Sequence, residues 1–452
     1  MKYSNYFFFF AGRDRDLHIL VFLTILKLTM PMTSRERVLA ALNHTEPDRI
    51  PVDLGAHRSS GIAGIAYHRL RKHLGLPEKP IRVYDMVQQL AIVDEDVLDL
   101  FGVDCIEMGR GFLLDDSDWK PWELPDGTPC EIPDYTNLEQ KGEHWVIFDE
   151  EGTELGILKK GSLYFEQTHF PLMERGIEND HFEDLEKMLG RQIWSAVAHP
   201  GGHLKMDEAG LKEMTARAKA LRASTDRAIV GLFGGNMFEI PQMLYRMDNY
   251  LLATGLYPDK VAELSEKLYQ IHLINLELWM SAVGPYIDVV LFGDDLGGQQ
   301  GPLISPEAYR EFYKPYHAKL WGRAKELANV KVQMHCCGGI YELIDDLIEA
   351  GLDAFNPVQI SCRGMDPVRL KAEFGDRITF WGGGCDTQNI LPLATPREVA
   401  KHAREMSSIF SPGGGFIFQQ VHNILANVPP ENVVAMMESI HSDRYSGKLN
   451  PL

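Results

Sequence analysis

His335 and Cys337 stand two residues apart, directly after the apolar run 330–334 and directly before Gly338-Gly339. Neutral imidazole and thiolate are the donors that Zn²⁺ prefers, and a catalytic zinc site uses three protein ligands with one position open. The His-x-Cys pair supplies two of them, so a third must come from elsewhere in the chain. His422, Cys385 and Asp295 are the candidates, since each follows a different apolar run. The competing reading makes Cys336 and Cys337 small packing residues and His335 a satisfied core histidine.

Asp294-Asp295 follow the run 287–292 and precede Gly297. One of the two carboxylates could bind a metal or take a proton, its pKa raised by the other's charge, whereas capping of the next helix is the ordinary alternative. Asp386 and Gln388 hold the matching place after the run 378–381, and turn formation would explain them equally well. Asn236, Asn356 and Gln359 offer further polar groups at such run ends for binding a substrate. Trp381, Phe238 and Tyr245 read as core or wall, and Cys105 and Cys362 as structural. The triplets Gly382-Gly383-Gly384 and Gly413-Gly414-Gly415 fit neither the dinucleotide nor the P-loop pattern.

The elements that must position these side chains recur with a plain rhythm. Runs 228–233, 287–292, 330–334, 352–356, 378–381 and 415–419 are each followed by a segment long enough for a helix, and runs 49–54 and 104–108 precede them. Eight buried strands alternating with helices specify an α/β fold of the TIM-type (β/α)8 barrel class, whose site gathers at the strands' C-terminal ends. An open doubly wound sheet is the alternative. Residues 33–44 read as a helix opened by Thr33 and Glu36, an N-terminal helical extension, and helical patterning continues to about residue 101. Turn signals crowd residues 113–172, which read as an inserted β-meander, and 181–223 read as helical. Arg13 to Asp16 split the apolar start into pieces too short to span a bilayer, and Met30 and Met32 stand just before the capped helix, so residues 1–31 read as a non-native or disordered leader and 32–452 as one barrel domain.

Among 452 residues, 45 Lys plus Arg face 64 Asp plus Glu, a net charge of −19 without any basic block. Such a balance speaks against nucleic acid as a partner, and no stretch calls for a membrane. Six cysteines without the spacing of a disulfide scaffold suit a reducing, cytoplasmic setting.

The strand-end segments, with residues 33–52, resemble the uroporphyrinogen decarboxylase superfamily, and within it the cobalamin-dependent methyltransferases of the methylcobamide:coenzyme M type. The resemblance is strongest over 292–387 and 421–432. Decarboxylase members carry an arginine-bearing stretch after the first strand that holds the tetrapyrrole's carboxylates, and here Arg58 stands alone in residues 52–60. That speaks against porphyrinogen decarboxylation. The methyltransferase branch implies Zn²⁺ on His335 and Cys337, with His422 or Cys385 in place of a later cysteine. It also implies a corrinoid such as methylcobalamin as methyl carrier, free or on a corrinoid protein, and a small thiol as acceptor. Asp294 or Asp295 would take the thiol proton, while Asn356, Gln359 and Gln388 would orient the acceptor. Homodimers are common among such barrels. A metal-free carboxy-lyase and a non-catalytic corrinoid- or ligand-binding barrel are the rival functions.

Overall fold

Runs of Val, Ile, Leu and Phe flanked by helices can be buried on both faces, which favours parallel pairing. The computed structural model describes residues 31–109, 111–194 and 200–440. Within it, seven parallel strands pair in chain order: β1 (Cys105–Met108), β2 (Ala228–Gly234), β3 (Val289–Gly293), β4 (Lys331–His335), β5 (Ala354–Asn356), β6 (Thr379–Trp381) and β7 (Phe416–Ile417). Helices such as Pro258–Val283, Lys314–Leu327 and Pro396–Phe410 cover the outside.

The eighth stave is shorter than the strand expected over residues 49–54. Val52 alone pairs with Phe418, in parallel. The Phe418 N–H donates to the Pro51 carbonyl at 2.8 Å, the Asp53 N–H to the Phe418 carbonyl at 2.9 Å, and the Asp104 N–H to the Val52 carbonyl at 2.8 Å. Residues 51–53 therefore join the end of β7 to the start of β1 and close a TIM-type barrel. Pro51 has no N–H to extend the ladder, and the chain turns away at Gly55, whose φ is +87°. Asp104, fully buried, fastens this seam from below: it accepts from Arg37 Nη1 at 2.7 Å, Arg49 Nη1 at 2.6 Å and the Val52 N–H at 2.9 Å.

Between the seam and β1 the expected continuous helix is broken. Helices Gly64–His73 and Glu95–Phe101 flank strands Ile81–Asp85 and Leu90–Ala91, because Pro77 and Pro80 cannot continue a helix. The β-rich insertion is likewise not one meander. Strands Trp119–Glu123 and Pro129–Pro133 join Ile81–Asp85 and Leu90–Ala91 in one sheet, while Asn137–Lys141, His144–Phe148, Glu154–Leu158 and Glu166–Gln167 form another. Among the described residues of 181–223, the expected helical stretch holds helices Leu185–Leu189 and Glu208–Ser224. The helix expected near 33 runs Ser34–Leu42, with Thr33 and Glu36 forming its capping box. The leader lies outside the described residues. Among those described, no helix is long and apolar enough to cross a membrane.

Removing Asp104 leaves Arg37 and Arg49 without their shared counter-charge. Asp104→Ala should cost about 3–5 kcal/mol, read as a lower urea midpoint with little change in slope. A loss under about 1 kcal/mol would show that the seam does not depend on this carboxylate.

Candidate metal centre

β4 ends at His335, between Gly293 of β3 and Asn356 of β5. The chain then turns through Cys336, Cys337 and Gly338. Gly338 has φ +88°, and a Cβ on it would overlap the Gly297 backbone, so this turn tolerates no side chain there. Asp295 and Gln359 hold the turn in place: the Cys337 N–H donates to Asp295 Oδ1 at 2.7 Å and the Gly338 N–H to Gln359 Oε1 at 2.8 Å.

His335, Cys337 and His422 converge, with one ligand atom from each all within 4.8 Å of one another. Cys337 Sγ lies 3.3 Å from His335 Nε2. Bonds of about 2.1 Å to nitrogen and 2.3 Å to sulfur at a tetrahedral ion set such atoms roughly 3.6 Å apart, so small side-chain shifts would seat Zn²⁺. His335 Nδ1 donates to Asn356 Oδ1 at 2.8 Å, which leaves the Nε2 lone pair facing Cys337. His422 has φ +67°, and its ring meets that of His335 edge-on at 5.4 Å. Its Nδ1 accepts the Asn423 N–H at 2.9 Å, a bond that a metal at this nitrogen would replace.

Several expected residues have other employment. Cys385 is fully buried in the core and stands outside this group, its backbone carbonyl accepting the Val421 N–H. Asp294, also fully buried, accepts from the N–H groups of Met237, Phe238 and Glu239 and lies 3.1 Å from His317 Nε2. Those contacts leave it no free oxygen for a substrate, so its expected proton-taking role is corrected to a structural one. Asp386 caps its own turn through the Gln388 and Asn389 N–H groups. Gln388 accepts from Ser361 Oγ, and neither residue lines the cavity described below. Asn356 supports His335 instead of facing a substrate, whereas Asn236 does line the cavity.

That cavity, of about 960 Å³ counted to its open mouth, is lined by His335, His422, Asp295 and two residues that sequence reasoning passed over, His57 and Glu239. Leu232, Phe233, Leu291 and Phe292 give it an apolar wall. His57 lies in the stretch after the seam; Glu239 was signalled only by its place three residues beyond Asn236, at the end of β2. Burial and the neighbouring imidazoles push His422 down to about 3, and burial also lowers His335. Burial, then the nearby Asp295 charge, pushes the Cys337 thiol well up.

At neutral pH the metal-free site thus holds two neutral imidazoles and one protonated thiol. Zn²⁺ binding should expel one proton, so affinity should rise about tenfold per pH unit across neutrality. Chelator competition at several pH values reads this slope, and a flat profile would remove Cys337 from the ligand set. Asn356→Ala should weaken Zn²⁺ binding by about 10–100-fold, because His335 loses the partner that fixes its ring. Cys385→Ser should leave zinc content unchanged and His422→Ala should lower it, as read by metal analysis.

Comparison with known proteins agrees with this frame. The family model described as Uroporphyrinogen decarboxylase (URO-D) matches residues 203–442. The uroporphyrinogen decarboxylase of Geotalea daltonii is 28% identical over 189 residues, 41% of this chain and 49% of that protein. That of Psychromonas ingrahamii is 25% identical over 144 residues, 31% of this chain and 38% of that protein. These matches span less than half of the relatives' own length. Among solved structures, a methyltransferase from Methanosarcina mazei superposes with a TM-score of 0.53 at 15% identity, covering 91% of this chain and 99% of that one, a likeness of fold. With more than half of its residues inside the matched model, the chain belongs to the uroporphyrinogen decarboxylase family.

Proposed function

We propose that this protein is a zinc-dependent methyltransferase that moves a methyl group between a corrinoid and a small thiol or similar acceptor. The observation that carries the reading is the convergence of His335, Cys337 and His422 on the barrel's strand-end face, where His335 and His422 also line the cavity. Bound there, Zn²⁺ would supply a positive charge that holds a substrate heteroatom and lowers its pKa. The chain's own residues do the rest. Asn356 orients His335, Asp295 and Gln359 fix the turn that carries Cys337, and the apolar wall excludes water from the reacting atoms. Methyl donor and acceptor must align about 3 Å apart, so the open mouth has to admit the corrinoid, free or carried by a protein partner.

The names of the curated relatives favour a decarboxylase as the second reading. Against it stands Arg58, the one arginine on the cavity among the described residues, which is paired with Asp85 at 3.0 Å. A polycarboxylate substrate would need counter-charges that the described residues of this wall do not offer. A cytoplasmic setting and a homodimer belong to the same proposal.

Purified protein should carry close to one zinc per chain, and Cys337→Ser should remove most of it together with methylcobalamin demethylation by a panel of thiols. Zinc content indifferent to Cys337, or demethylation that survives its loss, would sink the reading.

A further inference from the structure

The barrel wall is incomplete beside β1. The Asp104 N–H donates to the Val52 carbonyl, but the chain then leaves the wall at Gly55. Among the described residues, no backbone hydrogen bond joins Leu54 or Gly55 to Cys105–Met108. A cleft of about 820 Å³ opens in that gap, lined by Leu54, Gly55 and Tyr84 and by Cys105, Ile106 and Glu107 of β1. Consecutive strand residues point to opposite faces of a sheet. Cys105 packs with Ala228, Val230, Ala354 and Trp381 inside the barrel, whereas Ile106 belongs to the core between barrel and helices. A cleft that touches both residues passes through the wall.

Side chains separate the inner end of this cleft from the strand-end cavity. Gly109, two residues beyond Glu107, lines that cavity together with Leu232. A Cβ on Gly109 would overlap the Glu107 carboxyl group and stand 2.6 Å from Leu232 Cδ1. Glu107 therefore lines the cleft while its carboxyl group lies against the wall of the cavity. Glu107 and Leu232 are both half-buried, so a change of rotamer moves either one without rearranging the backbone.

We infer that the cleft beside β1 is a lateral passage through which the small methyl acceptor reaches the site, and its methylated product leaves, while a corrinoid occupies the mouth. The inference rests on the corrinoid-dependent methyl-transfer reading and deepens it. A corrinoid seated in line with the reacting atoms closes the mouth to the smaller reactant, so one entrance would force the acceptor to bind first on every turnover. A second entrance removes that constraint. Leu54, Val93, Leu98 and Ile106 give the cleft apolar walls that suit a small uncharged thiol, and the partition at Glu107 and Leu232 turns back a bulky one.

Kinetic order separates one entrance from two. In zinc-loaded full-length protein, methylcobalamin demethylation by 2-mercaptoethanol should show no inhibition by excess methylcobalamin, whereas demethylation by glutathione, too large for the cleft, should be inhibited. That comparison needs no variant. Leu221→Trp sets an indole on the half-buried rim of the cleft, and Val93→Phe narrows it from another segment. Each should leave the rate at low methylcobalamin near that of wild type. At saturating methylcobalamin each should raise the KM for 2-mercaptoethanol about tenfold or more and bring in the missing inhibition. Apart from turnover, methyl methanethiosulfonate should modify Cys105 more slowly in both variants than in wild type, as read by peptide mass spectrometry. Wild type inhibited by excess methylcobalamin with the small thiol, folded variants that match wild type, or Cys105 modification indifferent to them would each overturn the passage. A wild type that holds no zinc or demethylates no methylcobalamin would instead overturn the methyl-transfer reading beneath it, with Cys105 modification still reporting on the cleft.

Discussion

One buried amide ties the closure of the barrel to its reactive end. Asn356 Oδ1 accepts from His335 Nδ1 and Ser59 Oγ, while Nδ2 donates to the Trp381 carbonyl at 2.9 Å and to Gln419 Oε1 at 2.6 Å. The partners come from β4, the segment after the seam, β6 and the end of β7. Ser59 Oγ also lies 2.9 Å from His57 Nδ1, and His57 Nε2 lies 3.2 Å from Asp53 Oδ2. Asp53 in turn accepts from Trp381 Nε1 at 2.8 Å. Each of these side chains is buried except His335, and a buried polar group left unpaired costs about 1–3 kcal/mol. Few other arrangements satisfy the Asn356 amide on both sides, so the orientation of His335 depends on residues 51–53 sitting between β7 and β1. Closure of the barrel and orientation of the metal-capable His335 are one requirement.

This coupling explains what could be read along the chain and what could not. Strands were visible because both-face burial demands unbroken apolar runs, and the polar residues after them fall at the barrel's open end by topology alone. His335 and Cys337 were visible because two donors at that spacing are unusual beside glycine. That His422 and not Cys385 converges on His335 and Cys337 was not, since the two lie on adjacent turns joined by the Cys385 to Val421 backbone hydrogen bond. Only the direction of each side chain decides, and a positive φ at His422 is a tertiary matter. Asp294 was misjudged for a similar reason: the amides that enclose it lie more than fifty residues earlier in the chain, at Met237, Phe238 and Glu239. The short seam at Val52 was overestimated because Arg49 to Leu54 has strand-like composition, while Pro51 and Gly55 limit how much of it can pair.

Membership of the uroporphyrinogen decarboxylase family fixes the frame and leaves the chemistry to the strand ends. In this chain the first such end carries Arg58, whose charge is answered by Asp85, and His57, held against Asp53. The fifth, at the end of β4, carries imidazole and thiol. A wall so arranged has soft donors where a polycarboxylate pocket would require several free cations, and that difference lies in side chains, not in the path of the backbone.

The carboxylic acids show how little of that chemistry follows from residue type. Asp294 and Asp295 are adjacent in the chain, and Glu239 shares their functional group. Asp294 faces backbone donors on both oxygens and is sealed from the cavity. Asp295 uses one oxygen to set the Cys337 turn and lies 3.6 Å from His335 Nε2, near enough to favour positive charge at the metal-capable group. Glu239 accepts from the Asn236 amide and the Asp295 backbone and lies beside the charges of both aspartates. Counting the donors around the two aspartates therefore separates a structural anchor, Asp294, from a positioning group, Asp295, a separation that the identity of the residues alone does not provide.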